Sequence, residues 1–487
     1  MQESILKLVQ TINGYLADYI LIILLIGTGL WFSFKTKFVQ VRCFKEGMKS
    51  VFGNFSLRGG KQAGGLSSFQ ALATAIAAQV GTGNIVGASG AILVGGPGAI
   101  FWMWIIAFLG MATIYAEATL AQETREIDKD GEVHGGPVYY MKKAFPNGFG
   151  KFLGVFFAIA TILALGFMGS MVQSNSIAGA MERVIDPDKA NILFSMGGID
   201  VSVTAAITGA IVALVAAFIF LGGIQRIASV TEKLVPVMAC LFLLGGVAVI
   251  IVRIKYVPET IGMIFKYAFA PQALIGGGIG AALKIAISQG AKRGLFSNEA
   301  GMGSTPHAHA MAKVEKPHDQ GVVAMIGVFI DTFVVLTMTA VVVISCLYAG
   351  DGILAGSIAS GTYLEATSGA TALVSKATAM QEAMTSAFPA LGNFGSIFVA
   401  ICLLFFAFST ILGWNFFGKI NVQYLTKNSK VATVIYSIVA IAFIFLGSLL
   451  SNDLVWELTD FFNYLMVLPN AIALLALGKI VAKAAKK

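Results

Sequence analysis

Two glycine-rich interruptions lie inside apolar stretches long enough to cross a membrane. They are Val80-Gly81-Thr82-Gly83-Asn84-Ile85-Val86-Gly87 and Gly276-Gly277-Gly278-Ile279-Gly280. Lipid offers no water to the backbone, so a spanning helix must satisfy its own N–H and C=O groups. A break survives only where protein or a protected cavity surrounds it. Two broken spans in corresponding halves of one chain point to a transporter's binding site.

The composition agrees with a membrane-embedded chain. Of 487 residues, 57% are hydrophobic and 12% are charged, where a soluble domain carries about 25% charged residues. The 55 glycines suit close helix contacts in lipid. A net charge of +8 could suggest nucleic acid as a partner, but the charges fall in short loops between apolar runs. They read as topology signals, and no nucleic-acid partner is expected. Cys240, Cys346 and Cys402 fall in apolar runs and Cys43 in a basic loop, with no CxxC and no disulfide framework. The N-terminus lacks a basic region ahead of its first apolar run, so no cleavable signal peptide is expected.

A helix needs about 20 apolar residues to span a bilayer. That criterion predicts an all-α polytopic protein with eleven spans: 17–34, 67–94, 97–121, 150–180, 201–222, 229–252, 272–291, 321–349, 391–418, 431–450 and 454–478. The loop between spans 1 and 2 holds Lys35, Lys37, Arg42, Lys45, Lys49, Arg58 and Lys61. Most of the 33 lysines and arginines lie on that side. The positive-inside rule then predicts a plasma-membrane protein with its N-terminus outside and its C-terminus in the cytoplasm. Spans 2–6 and 7–11 form two sets of five. Five is odd, so the second set enters from the opposite side, and the two sets form an inverted repeat. The expected units are 1–66, a peripheral span with its basic loop; 67–252, the first repeat; and 253–487, the second. Within the last, the external stretch 352–390 reads as short helices capping the outer mouth.

The run from Gly65 to Gly87, with Gln79-Val80-Gly81-Thr82-Gly83-Asn84 inside it, resembles a signature of the alanine or glycine:cation symporter family. So does Ala291-Lys292-Arg293-Gly294-Leu295-Phe296-Ser297-Asn298-Glu299-Ala300-Gly301-Met302-Gly303-Ser304. The resemblance covers the whole chain. It implies sodium-coupled uptake of alanine or glycine on a leucine-transporter-type fold, with spans 2–11 as the ten-helix core.

An amino-acid zwitterion brings a carboxylate, an ammonium and a small side chain into a dry pocket, where an unpaired ion costs many kcal/mol. A helix restarting after a break offers free N–H groups and a positive dipole end. Gly81, Thr82 and Gly83, with the side chain of Gln79 or Asn84, are the expected carboxylate site. Carbonyls freed at Gly276, Gly277, Gly278 and Ile279 are the expected acceptors for the ammonium. Phe406, Ser409 and Thr410 are spaced i, i+3, i+4 and share one helix face. On spacing alone, each hydroxyl is better explained by bonding back to its own helix. The resemblance instead implies a sodium site made of the carbonyls of Ala77, Val80 and Phe406 and the hydroxyls of Ser409 and Thr410. Trp414, one turn beyond Thr410, is the expected wall that limits side-chain size, and Phe167 is a second candidate wall.

Ionisable residues inside spans are functional candidates by default. Here they are Glu117, Lys284, Asp331, Glu457 and Asp460, and structural pairing is the favoured reading for each. His307 and His309 lie in a basic loop and do not by themselves make a metal site. Sodium is the one coupling ion expected, with no organic cofactor and no obligatory protein partner. A membrane-embedded enzyme finds no support in H-E-x-x-H, G-x-G-D or G-x-x-x-x-G-K-[ST], which are absent. A channel would show flux without saturation. The nearest rival is a transporter of another small substrate, a larger amino acid or a nucleobase, on the same fold.

Overall fold

The computed structural model describes residues 2–53, 66–129, 132–196, 199–269, 279–360, 374–450 and 452–486. Among these, nine helices are long and apolar enough to cross a membrane. They are α1 (Ser4–Lys35), α5 (Ala99–Thr124), α6 (Gly148–Ile185), α7 (Val203–Phe220), α8 (Gly223–Val252), α12 (Pro317–Leu347), α14 (Phe394–Thr426), α15 (Lys430–Gly447) and α16 (Asp453–Ala476). A tenth span is split. Helices α3 (Ser68–Gln79) and α4 (Gly83–Gly95) meet at 46°. The expected span over 272–291 is covered only from Ile279, where α10 (Ile279–Asn298) begins. Shorter helices are α2 (Phe44–Phe52), α9 (Val257–Phe269), α11 (Pro306–Ala310) and α13 (Ala379–Ala387). The only sheets among the described residues are two small hairpins, Glu126–Ile127 with Val133–His134 and Ile192–Met196 with Ile199–Ser202.

The split span has local causes. Ser67 starts α3 with a capping box: its Oγ accepts from Gln70 N at 3.0 Å and Gln70 Oε1 accepts from Ser67 N at 3.1 Å. The helix stops at Val80, whose ψ of 86° is not helical. The chain re-enters helix through a widened π-type turn at Gly83–Gly87, the kind of irregularity that concentrates at functional sites. Similar wide turns occur at Ile162–Gly169 in α6 and Phe329–Leu336 in α12.

Helix α10 is followed by a second unwound stretch. Glu299, Gly301 and Gly303 have φ of 58°, 92° and 82°, a left-handed conformation that costs glycine little. The chain then turns into α11. At their far ends the two broken elements are stitched together: Leu66 N donates to Met311 O and Lys313 N to Leu66 O, each at 2.9 Å.

The stretch 352–390 holds a short helix, Ala355–Ser360, and α13. Ala379, Met380 and Ala383 of α13 are buried. Glu382 accepts from the Arg183 guanidinium of α6.

Candidate functional site

The break in α3–α4 is pressed between three other helices. A Cβ on Gly81 would overlap Thr410 Oγ1 of α14. A Cβ on Gly83 would lie 3.0 Å from Phe296 Cδ1 and 3.1 Å from Ser297 Cα of α10. Gly413 of α14 packs on Ala78 so tightly that its Cβ would stand 3.0 Å from the Ala78 backbone nitrogen. Glycine is needed at these points because a Cβ would run into the Thr410 hydroxyl, the Phe296 ring and Ser297 backbone, or the Ala78 backbone.

Oxygens converge on the α3 side of the break. The Ala77 carbonyl accepts from Thr410 Oγ1 at 2.9 Å and from Ser409 Oγ at 3.3 Å. The Phe406 carbonyl accepts from the same two hydroxyls, at 3.1 and 2.8 Å. Ala77, Ser409, Thr410 and Phe406 are all fully buried. Two carbonyls and two hydroxyls in one dry cluster are hard oxygen donors, the kind that suits a small hard cation.

On the α4 side, Gly81 N donates to Asn84 Oδ1 at 3.0 Å and Thr82 N to Gln173 Oε1 of α6 at 3.2 Å. Thr82 Oγ1 and Gln173 Nε2 are buried and have no hydrogen-bond partner among the described residues. Buried polar atoms without partners carry a desolvation cost of about 1–3 kcal/mol each, and these two belong to the partners on opposite sides of the Thr82 N–Gln173 Oε1 hydrogen bond. Trp414 lies one turn beyond Thr410 on α14 and is fully buried. Its indole N–H donates to the Glu299 carboxylate, which also accepts from Ser304 Oγ. Phe296 lies edge-on to Trp414 at 5.7 Å and against Trp456 at 4.7 Å. Above Trp456, Arg293 places its guanidinium over the ring at 4.8 Å and pairs with Asp460 at 3.0 Å.

A model of the sodium:alanine symporter family matches residues 2–487. The chain belongs to the sodium:alanine symporter family. The sodium/alanine symporter AgcS of Methanococcus maripaludis is 39% identical over 484 residues, spanning 99% of this chain and 96% of AgcS. The probable sodium/glutamine symporter GlnT of Bacillus subtilis is 36% identical over 487 residues, spanning 100% of this chain and 91% of GlnT. The crystal structure of MhsT in complex with L-phenylalanine matches with a TM-score of 0.57 over 87% of this chain and 98% of MhsT, at 15% identity. The chain therefore has the MhsT fold, and as a member of the sodium:alanine symporter family it is a multi-pass transporter and not an enzyme.

The geometry of this family member sorts the residues expected from sequence. Ala77, Phe406, Ser409 and Thr410 come together. Val80 lies at the break beside them, and its N–H is taken by Ile76 O at 2.7 Å. Gly81, Thr82, Gly83 and Asn84 form the break and its restart, and Trp414 reaches it through Phe296, which packs on both Gly83 and the indole. Gln79 turns away: its Nε2 donates to Asn298 O at 2.7 Å and its Oε1 faces Gly327. It straps α3 to the end of α10 instead of joining the N–H groups. Phe167 also departs from expectation. It stacks on Phe443 of α15 at 4.9 Å and tilts against Tyr436, because the wide turn of α6 points Gly169, two residues on, at Trp414. Gly276, Gly277 and Gly278 lie outside the described residues, as does the side chain of Ile279. Among the described residues, an unwound stretch lies beside the first break at 299–305.

Three residues at the site were not assigned to it from sequence. Gln173 shares a buried polar face with Ser170 and Ser174, and that i, i+3, i+4 polar stripe in an apolar span was the available signal. Glu299 sits inside a quoted signature but reads as a loop residue by position. Asp331 accepts from Asn84 Nδ2 at 2.7 Å and from Ser297 Oγ and Thr332 Oγ1 at 2.8 Å. It thereby ties the first break to the end of α10. Glu117 plays a matching part on the second unwound stretch, accepting from Gly301 N at 3.1 Å and Asn470 Nδ2 at 2.6 Å. Neither carboxylate forms an ion pair among the described residues. Lys284 meets Asp18 at 3.5 Å, and Glu457 accepts from Asn13 Nδ2 at 2.7 Å. His307 and His309 are buried, not in a solvated loop, because α11 folds back into the protein. His307 stacks between Phe157 and Phe417.

Proposed function

We propose that this protein carries alanine and glycine into the cell with sodium, by alternating access. The observation that carries this reading is the meeting at Gly81 of two things: the four-oxygen cluster of Ala77, Phe406, Ser409 and Thr410, and the unpartnered Thr82 Oγ1 and Gln173 Nε2. Sodium at the first cluster would order the α3–α4 break. The ordered break then presents the N–H groups of Gly81, Thr82 and Gly83, with Gln173, to the substrate carboxylate. The ammonium is received on the opposite side, by acceptors of the unwound 299–305 stretch, with the Glu299 carboxylate against Trp414. Trp414 and Phe296 leave room for a small side chain.

The likeness to MhsT supports two five-helix repeats of opposite orientation, α3–α8 and α10–α16, with α1 outside them, and the basic loops support an N-out, C-in placement in the plasma membrane. Alternating access then moves the site between two exits. The outer exit is closed by Arg293–Asp460 over Trp456 and Phe296. The inner side has a cavity lined by Leu66, Met311, Ile224, Gln423 and Tyr424, at the stitched ends of the broken helices. A potential of 100 mV is worth about 2.3 kcal/mol per charge, and a tenfold sodium gradient about 1.4 kcal/mol. Their sum, about 3.7 kcal/mol, concentrates a neutral amino acid roughly 500-fold.

The test is purified protein in liposomes, with alanine, glycine, glutamine and leucine offered under an imposed sodium gradient. Alanine and glycine should accumulate and stop accumulating when the gradient is dissipated. Accumulation indifferent to sodium would refute the coupling, and a preference for glutamine or leucine would refute the small-side-chain reading.

A further inference from the structure

Where α2 meets the start of α12, three ligand-type side chains from two separate elements converge. Cys43 Sγ, a carboxylate oxygen of Glu46 and a ring nitrogen of His318 all lie within 4.8 Å of one another. Cys43 caps the start of α2 and Glu46 is one turn further along it, so both point to the same side. His318 is the second residue of α12 and is buried. Its Nε2 stands 3.4 Å from Glu46 Oε1. Its other nitrogen, Nδ1, is 2.7 Å from the hydroxyl of Tyr115 on α5. The hydrogen bond at Nδ1 fixes the ring with Nε2 turned toward Glu46, and metal-ligating histidines are commonly held by such a bond at the other ring nitrogen.

We infer that Cys43, Glu46 and His318 form a binding site for a divalent cation of the zinc class, separate from the sodium path. Thiolate and imidazole donors select zinc-like ions over sodium, magnesium or calcium. Three protein ligands leave a fourth tetrahedral position for water. Bond lengths of about 2.0–2.3 Å put tetrahedral ligands roughly 3.3–3.8 Å apart, so the trio closes around an ion with a small shift of the Glu46 side chain. That side chain is 42% exposed while His318 is 3% exposed, so the entry path runs along Glu46. The loop holding Cys43 is the most basic of the chain, on the predicted cytoplasmic face, where thiols stay reduced.

The site sits on the ledge that holds the broken helices. Two residues after His318, Gln320 Oε1 accepts from Ser68 Oγ at the start of α3 at 2.8 Å, and Gln320 Nε2 meets His309 Nδ1 of α11 at 2.8 Å. Helix α2 in turn packs on α12, where a Cβ on Gly47 would lie 2.7 Å from Ile326 Cγ1. A cation joining α2 to His318 locks the point from which both broken helices must swing. Bound zinc is therefore a brake on transport.

The experiment uses the full chain, purified without a histidine tag, and titrates zinc against a chromophoric chelator, with cobalt as the spectroscopic probe. The expected result is one site per chain, with a near-ultraviolet thiolate-to-cobalt band. Cys43→Ser removes that band and the site. Tyr115→Phe, which deletes only the hydrogen bond to Nδ1, weakens binding about 10- to 100-fold. In liposomes, zinc slows alanine uptake by the native chain and a chelator restores it, while Cys43→Ser keeps its uptake in the presence of zinc. Equal zinc binding by the native chain and Cys43→Ser overturns the site. Equal slowing of both overturns the brake.

Discussion

Thr410→Val separates a sodium ligand from a structural strap. Valine keeps the branched shape in a fully buried position and deletes only the hydroxyl, which bonds Ala77 O at 2.9 Å and Phe406 O at 3.1 Å. As a neutral hydrogen bond, the hydroxyl contributes about 1 kcal/mol to the fold with or without sodium. As a ligand to an ion, it contributes about 1.5–3 kcal/mol to sodium binding, which is roughly a 10- to 100-fold change in dissociation constant. Saturating sodium makes the difference measurable. At a concentration 100 times the native dissociation constant, bound sodium stabilises the native chain by about 2.7 kcal/mol. A variant with a 100-fold weaker site gains only about 0.4 kcal/mol at the same concentration. The assay is thermal unfolding in detergent at several sodium concentrations, with potassium keeping ionic strength constant, beside the sodium dependence of alanine uptake. The sodium-dependent part of the stability should nearly vanish in Thr410→Val, and half-saturating sodium should rise by the same factor. Equal sodium-dependent shifts in the native chain and the variant, with a constant offset between them, would show that the hydroxyl only straps α14 to α3.

Three further outcomes follow from the same geometry. Gln173→Leu removes the amide that faces the break, so half-saturating alanine should rise roughly 10- to 100-fold, the worth of a hydrogen bond to a charged group; unchanged alanine dependence would remove Gln173 from the site. Trp414→Ala should admit larger side chains in competition uptake while costing about 3–5 kcal/mol of stability through the cavity it leaves; an unchanged substrate profile would refute its role as a wall. Asp460→Asn leaves the Arg293 guanidinium buried without its carboxylate and should cost about 3–5 kcal/mol; adding Arg293→Gln should recover part of that loss in thermal unfolding, and no recovery would refute a direct pairing energy.

The readable part of the site was the part written along single segments. Val80 to Gly83 announces a break because glycine, a non-helical stop and an apolar surround fall within a few residues. Phe406, Ser409 and Thr410 announce a shared face because helical spacing alone puts them there. Gln173 was harder: an amide in a span looks like any buried polar residue until Thr82 N is found at its oxygen. The unwinding at 299–305 is not legible in the same way: Gly276 to Gly278 is the denser glycine run and lies outside the described residues, while the left-handed residues Glu299, Gly301 and Gly303 are spaced among ordinary side chains.

The sequence by itself determined that the chain crosses the membrane many times, which loops carry the positive charge and which span must break. These follow from hydropathy, charge and backbone freedom, which act residue by residue. Only the tertiary structure decided which polar groups face one another across helices. It turned Gln79 toward Asn298 and Phe167 toward Phe443, put Glu299 on Trp414, and drew Cys43 and Glu46 to His318. Such pairings depend on how helices far apart in the chain pack and rotate against each other, and no periodicity within one helix encodes the angle of its neighbour.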